Sequence, residues 1–357
     1  MQRFILITAL TICTSHLQAQ KDQHYKFTDA TELTVLGKSA TVNGAYQRID
    51  SSYFSKLPSR VADLATNSAG ICISFRSNSK NISLKWILRK YNNLWNMTPL
   101  AVNGMDLYTW NDSAWQYMGS ARPASDTNQA IVASALDGSM RHYRLYLPLY
   151  SALTTLSIGI DSTATIHKAN PGFVPAKKVV IYGSSITQGA SASRPGMAYP
   201  SILSRKLNIE TFNMGFSGSG KMELILADVL ASMKADIYIL DCVPNPSPAE
   251  IKERAVPFVK RLRQLKPNVP IIMVESIIRE QSYWNENSGK RMAGQNGEFR
   301  KAFEQLTAEK YKDIYYIPAT DLTGHDHEAT IDGTHLTDLG FTRIADVIGE
   351  MLKKVLQ

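Results

Sequence analysis

The sequence predicts two domains of different construction: an all-β domain of β-sandwich or jelly-roll type over residues 20–172, then an α/β domain with a parallel sheet over residues 173–357. Three observations carry this. Upstream of residue 172, short runs with strand-like alternation are separated by clusters of Asn, Ser, Gly and Asp. Downstream, five short apolar runs alternate with segments of helical periodicity, as a parallel sheet covered on both faces requires. Between them the Pro- and Gly-containing stretch 169–176 reads as a linker.

The chain opens on a leader. Met1-Gln2-Arg3 is positive, Phe4 to Cys13 is nearly all apolar or Thr, and Leu17-Gln18-Ala19 suits cleavage. Residues 1–19 are therefore expected to be a secretory signal peptide, and the mature protein secreted or periplasmic. The bulky Ile12 before Cys13 argues against a lipid-modified cysteine. After Ala19 no apolar run approaches the ~20 residues of a bilayer span.

In the first domain, Gly70–Phe75, Ile82–Leu88 and Tyr143–Leu147 read as strands. In the second, strands are expected at 178–182, 210–213, 236–240, 270–274 and 313–317. Helices are expected around 198–207, 221–233, 248–265, 293–309 and 337–355. Ligands of such a sheet bind at the carboxyl ends of its strands.

The net charge of +8 excludes little. Residues 20–172 hold 15 basic and 10 acidic side chains, and residues 173–357 hold 23 and 21, scattered rather than clustered. No nucleic-acid footprint results. Cys72 and Cys242, the two cysteines beyond the leader, are expected to be buried free thiols.

Chemistry gathers in the strand-end loops: Gly183-Ser184-Ser185-Ile186-Thr187, Asn213-Met214-Gly215-Phe216-Ser217-Gly218, Asp241-Cys242-Val243-Pro244-Asn245-Pro246, and Asp332-Gly333-Thr334-His335. Acyl transfer needs a nucleophile, a base, a group that orients the base, and donors for the developing oxyanion. Ser185 suits the nucleophile at a strand-to-helix turn, His335 the base, and Asp332 the orienting carboxylate. The backbone N–H groups of Ser185 and Gly218 and the amide of Asn245 suit an oxyanion hole. Gly218 has no Cβ to block substrate, and the prolines on either side of Asn245 restrict its backbone.

These motifs resemble the SGNH (GDSL-like) hydrolases over roughly 173–357. Ser185 falls at the nucleophile of their first block, Gly218 at the oxyanion glycine of the second, Asn245 at the third-block asparagine, and Asp332 and His335 in the fifth block. The run from Gly183 to Tyr199 resembles the subfamily with an N-terminal β-sandwich, whose members are often carbohydrate esterases. The resemblance implies a flavodoxin-like three-layer α/β/α hydrolase domain, and a substrate that is an acetylated oligo- or polysaccharide. The chain departs from the pattern in three places: Ser184 replaces an aspartate, Val243-Pro244-Asn245-Pro246 replaces Gly-x-Asn-Asp, and Leu336 replaces a proline.

Other motifs read more simply. Gly215 to Lys221 has the glycine and lysine spacing of a phosphate-binding loop, but Met222 stands where its Ser or Thr would hold Mg²⁺. His325, Asp326, His327 and Glu328 lack a zinc-site spacing, so no metal is expected. No Gly-x-Ser-x-Gly elbow of an α/β-hydrolase occurs. Trp86 alternates within a strand and reads as core, whereas Trp95 sits in a polar loop where it could stack on a sugar ring. The expected activity is cofactor-free hydrolysis of small esters, with O-acetyl groups on extracellular carbohydrate as substrate. The rival readings are a lipase or thioesterase using the same triad, and a non-catalytic carbohydrate-binding protein.

Overall fold

The computed structural model describes residues 25–356; the expected signal peptide, 1–19, lies outside the described residues. Antiparallel strands come first: β1 (Tyr25–Asp29), β2 (Thr34–Leu36), β3 (Cys72–Ser77), β4 (Ile82–Leu88), β5 (Met105–Trp110), β6 (Trp115–Ala121), β7 (Thr127–Ala133), β8 (Arg141–Tyr146), β9 (Leu153–Asp161) and β10 (Ile166–Lys168). They form two sheets, ordered β1-β9-β4-β7 and β10-β3-β8-β5-β6, with β2 paired to β3. Period-2 alternation sends Ile73, Phe75, Leu84, Trp86, Leu107, Tyr143, Leu145 and Ile158 into one shared core. Trp86 is 1% exposed and its indole N–H donates to Asn103 O at 3.2 Å, so it is core as its alternation predicted.

Two short helices interrupt these strands: α1 (Ser59–Ala65) and α2 (Pro99–Asn103). Helix α1 differs from the all-β expectation. Its Val61, Leu64 and Ala65, with Ile49 and Leu57, pack on Val180, Phe212 and Met214 of the parallel sheet. Part of the N-terminal sequence therefore belongs, by packing, to the second core. Arg48 fastens it there. Its buried guanidinium donates to Asn213 O (2.9 Å), Gly215 O (2.7 Å), Leu64 O (2.6 Å) and Asn67 O (3.1 Å). Replacing Arg48 by methionine keeps the stem but leaves four buried carbonyls without their donors. At about 1–3 kcal/mol for each unsatisfied group, with partial relaxation, Arg48→Met is expected to cost about 3–5 kcal/mol in urea unfolding.

The second unit alternates as its sequence predicts: β11 (Lys178–Gly183), α3 (Ser185–Gln188), α4 (Tyr199–Leu207), β12 (Glu210–Gly215), α5 (Leu224–Ser232), β13 (Ile237–Asp241), α6 (Pro248–Leu265), β14 (Ile271–Val274), α7 (Glu286–Ala308), β15 (Ile314–Ile317) and α8 (Asp338–Val355). All pairings are parallel, in the order β12-β11-β13-β14-β15. Val179, Ile181, Ile237 and Ile239 face the side covered by α4 and α8. Val180, Tyr182, Tyr238 and Leu240 face α5, α6 and α7. This is the flavodoxin-like three-layer arrangement. Its strand order reverses at β11, so a crevice opens beyond that strand's carboxyl end.

Helix α7 begins well before the expected residue 293. Its first two turns, Glu286 to Met292, are polar and have no apolar stripe, and the start is marked by Asn285, whose side chain accepts from Ser288 N at 2.9 Å. Helix α6 starts on a capping box, with Ser247 and Glu250 bonding reciprocally and Pro248 at the first position. Cys72 and Cys242 are both buried and free. No helix among the described residues is long and apolar enough to cross a membrane.

Candidate active site

Strand β11 ends at Gly183, and Ser184 caps the single turn of α3 by accepting from Ile186 N at 3.2 Å. Ser185 is thereby the first helical residue, at the switch point of the sheet and only 9% exposed. The loop before α8 brings the other two groups. Residues 330 and 336 form an isolated antiparallel bridge, Ile331 N donates to His335 O at 2.8 Å, and Thr337 caps α8. Asp332 and His335 sit at the tip of this tight loop.

His335 Nε2 lies 3.0 Å from Ser185 Oγ, and His335 Nδ1 lies 2.7 Å from Asp332 Oδ2. With the ring proton on Nδ1, imidazole donates to the carboxylate and leaves Nε2 to accept the serine O–H. The other carboxylate oxygen, Asp332 Oδ1, accepts from the backbone N–H groups of Thr334 (3.0 Å) and His335 (2.7 Å). Burial works to raise the Asp332 carboxyl, but these N–H groups and the His335 ring outweigh it and hold it below the usual carboxylate range. The orienting group stays charged.

Gly218 lies in the turn after β12, at φ +65°, a left-handed conformation that favours glycine. The space a Cβ would occupy there is open. Its N–H takes no acceptor among the described residues. The N–H of Ser185 is the first of α3, where no intrahelical acceptor exists. The turn is held against α3 by Asn213 Nδ2 to Thr187 O (2.7 Å) and by Ser217 N to Gln188 Oε1 (3.0 Å). Gly215 permits this: a Cβ there would come within 2.2 Å of Gln188 N.

Asn245 sits otherwise than expected. Its amide donates to Phe216 O at 3.0 Å and also to Ser219 O, so both N–H groups are spent on carbonyls of the Gly218 turn. In this geometry Asn245 braces the turn. Serving as a third oxyanion donor would require its amide to rotate away from one carbonyl.

Three further side chains brace this site, none of them assigned a role from sequence. Asn96, in the loop after β4, donates from Nδ2 to Asp332 Oδ2 at 3.2 Å and lies 3.3 Å from His335 Nδ1. Asn96 and Asp332 are 236 residues apart, so no spacing could have signalled the contact. Asp241 ends β13, below the nucleophile turn, and accepts from Thr187 Oγ1 (2.7 Å) and Tyr199 OH (2.9 Å). Asp106 on β5 accepts from Gly196 N at 2.9 Å and pairs with Arg194 at 3.2 Å, fastening the first unit to the segment before α4. Trp95, the expected sugar platform, is 85% exposed beside Asn96.

Burial pushes the Asp241 carboxyl up to about 7. A folded-state value raised above an unfolded one near 4 means that the native state holds this proton more tightly. The stabilisation is complete below pH 4 and is lost as pH rises through about 7. Asp241→Asn cannot ionise, so wild-type stability relative to the variant should fall by a few kcal/mol between pH 4 and pH 8. Urea titrations at several pH values check this, and parallel stability curves would contradict it.

Within the run from His325 to Glu328, His327 pairs with Glu280 and Asp326 with Arg343. Among the described residues no cluster of three His, Cys, Asp or Glu side chains is gathered.

A serine, an imidazole and a carboxylate joined in that order, beside two unspent N–H groups at a sheet's switch point, can carry out acyl transfer. Fold and site together describe an ester hydrolase. The comparisons narrow this: residues 176–353 match the GDSL-like lipase/acylhydrolase family, and residues 25–166 match the N-terminus of SGNH-hydrolase-type esterases, named for Gly-x-Asp-Leu-Tyr. The chain belongs to this SGNH/GDSL-like family. Gly104-Met105-Asp106-Leu107-Tyr108 is its copy of the five-residue run, and it contains the Asp106 that grips Gly196 and Arg194.

A crystal structure from Bacteroides ovatus ATCC 8483, described as a GDSL-like lipase, is 41% identical. The match covers 93% of this chain and 98% of that one, with a TM-score of 0.90. A salicylyl-acyltransferase from a tetracycline biosynthetic pathway (15% identity, 93% and 97% covered, TM-score 0.75) shares the fold. So does a family two carbohydrate esterase from Cellvibrio japonicus (12% identity, 93% and 98% covered, TM-score 0.63). No curated protein sequence matches.

Proposed function

We propose that this protein is a secreted esterase that removes small acyl groups, O-acetyl above all, from carbohydrate through Ser185, His335 and Asp332. The observation that carries the mechanism is the continuous pair of hydrogen bonds, 3.0 Å from Ser185 Oγ to His335 Nε2 and 2.7 Å from His335 Nδ1 to Asp332 Oδ2. Ser185 Oγ attacks the ester carbonyl while His335 Nε2 takes its proton. Asp332 holds the ring in the required tautomer, and Asn96 holds Asp332. The N–H groups of Ser185 and Gly218 receive the oxyanion, and Asn245 keeps the Gly218 turn in place, with its amide a third donor after rotation. His335 then gives that proton to the sugar oxygen as its bond to the acyl carbon breaks, so the sugar leaves with a free hydroxyl. Water, deprotonated in turn by His335, releases the acid and restores Ser185.

The leader-like residues 1–19 support export. The change of construction near residue 172 supports the division into a β-sandwich domain, 20–172, and a catalytic domain, 173–357. Carbohydrate as acyl carrier is supported by the exposed Trp95 next to Asn96 and by relatives in fold described as a family two carbohydrate esterase and an acetyl xylan esterase. Fold likeness does not itself transmit substrate.

A series of p-nitrophenyl acetate, butyrate and octanoate, with acetate release from acetylated xylan alongside, tests the reading. The acetylesterase reading expects preference for acetate and release from the polymer. Preference for octanoate would favour a lipase or thioesterase, and inactivity on every ester would favour a binding protein.

A further inference from the structure

We infer that Trp95 and Trp284, contributed by different parts of the fold, are paired platforms that receive sugar rings on either side of the acylated residue. This rests on the carbohydrate-ester reading above and extends it to a chain of several rings.

The two indoles are 85% and 90% exposed, whereas Trp86 is 1% exposed and Trp110 and Trp115 pack edge-on against Phe173. A tryptophan left almost wholly in water gains nothing for the fold, and its flat apolar face suits the C–H face of a pyranose. Scattered exposed apolar residues need no explanation. These two share a location that does.

Both hang from segments bonded to the same catalytic loop. Trp95 precedes Asn96, whose amide reaches Asp332 Oδ2 at 3.2 Å. Trp284 closes a turn in which Glu280 N donates to Gly333 O at 2.9 Å and Gln281 Nε2 reaches Asp332 O at 3.5 Å. That turn is further fixed by Glu280 Oε2 with His327 Nδ1 at 2.9 Å, and by an edge-on contact of Tyr283 with His327. The backbone beneath each indole is thus anchored within a few residues of Asp332, while the ring itself stays in solvent. A rigid base with an uncovered aromatic face limits the ordering entropy lost on binding. Trp95 comes from the loop after β4 and Trp284 from the turn before α7, so a glycan meeting both would span the mouth of the site.

The test compares kcat/KM on acetylated xylan with kcat/KM on p-nitrophenyl acetate, for wild type, Trp95→Ala, Trp284→Ala and the double variant. The small ester has no sugar to stack, so the ratio of the two values isolates the platform. Each single replacement should lower the ratio about tenfold, and the double variant further, through KM on the polymer. An unchanged ratio overturns the inference, including the case in which both activities fall together because the loop at Asn96 has been disturbed. Binding of wild type to phosphatidylcholine–phosphatidylglycerol vesicles that both variants lose would also overturn it, since the indoles would then be serving a lipid surface. If wild type hydrolyses neither substrate, the esterase reading fails instead.

Discussion

Ser185→Ala is expected to lower kcat for p-nitrophenyl acetate by roughly 10⁴ to 10⁶, with KM changed only a few-fold. In the proposed mechanism its hydroxyl is the group that bonds to the acyl carbon, because His335 Nε2 is placed to take its proton. Without it His335 can activate water only from a distance set for Ser185 Oγ, 3.0 Å away. The N–H groups of residue 185 and Gly218 survive the substitution, so a residue of catalysis from oxyanion binding alone should remain. Kinetics on the purified variant, with its folding checked by urea unfolding, provide the measurement. A loss under tenfold would remove Ser185 from the nucleophile's role.

Asp332→Asn is expected to lower kcat by roughly 10⁴ while leaving the fold intact. Both carboxylate oxygens are committed. Oδ1 accepts two backbone N–H groups, and Oδ2 accepts from the His335 ring and Asn96. An amide can place only one oxygen. With its oxygen toward the backbone N–H groups, its NH₂ faces His335 Nδ1 and drives the ring proton to Nε2, the atom that must accept from Ser185. With the amide reversed, two backbone donors face a donor. The first arrangement costs less, because unsatisfied backbone N–H groups are expensive, so the variant should fold with the wrong tautomer. Comparable stability with severely reduced kcat is the expected result; kcat within tenfold of wild type would show that Asp332 does not set the tautomer.

What could be read from sequence, and what could not, follows from the range of each signal. Strands β11, β13 and β14 are buried on both faces, so each appears as a short apolar run rich in β-branched residues. Asp332 and His335 lie three residues apart in one loop, so their partnership is local. Asn96 is joined to that pair only by the fold. Asp241 looks like any acid ending a strand until Thr187 and Tyr199 close over it. Helix α1 has seven residues and no side-chain cap, too short to show a period, and its burial depends on a distant sheet edge. The prolines around Asn245 were visible, but the direction of its amide depends on two carbonyls from the Gly218 turn. Trp284 stood in a polar stretch as Trp95 did, and only its hydrogen-bonded neighbours connect it with Asp332.

The proposed mechanism makes Ser185 a nucleophile activated by His335. Covalent labelling with a fluorophosphonate, read by intact mass and then by peptide mapping, tests it most directly. One adduct per chain is expected, on Ser185, formed far more slowly in His335→Ala. A catalytically active preparation that takes no adduct, or carries it on another residue, would contradict it.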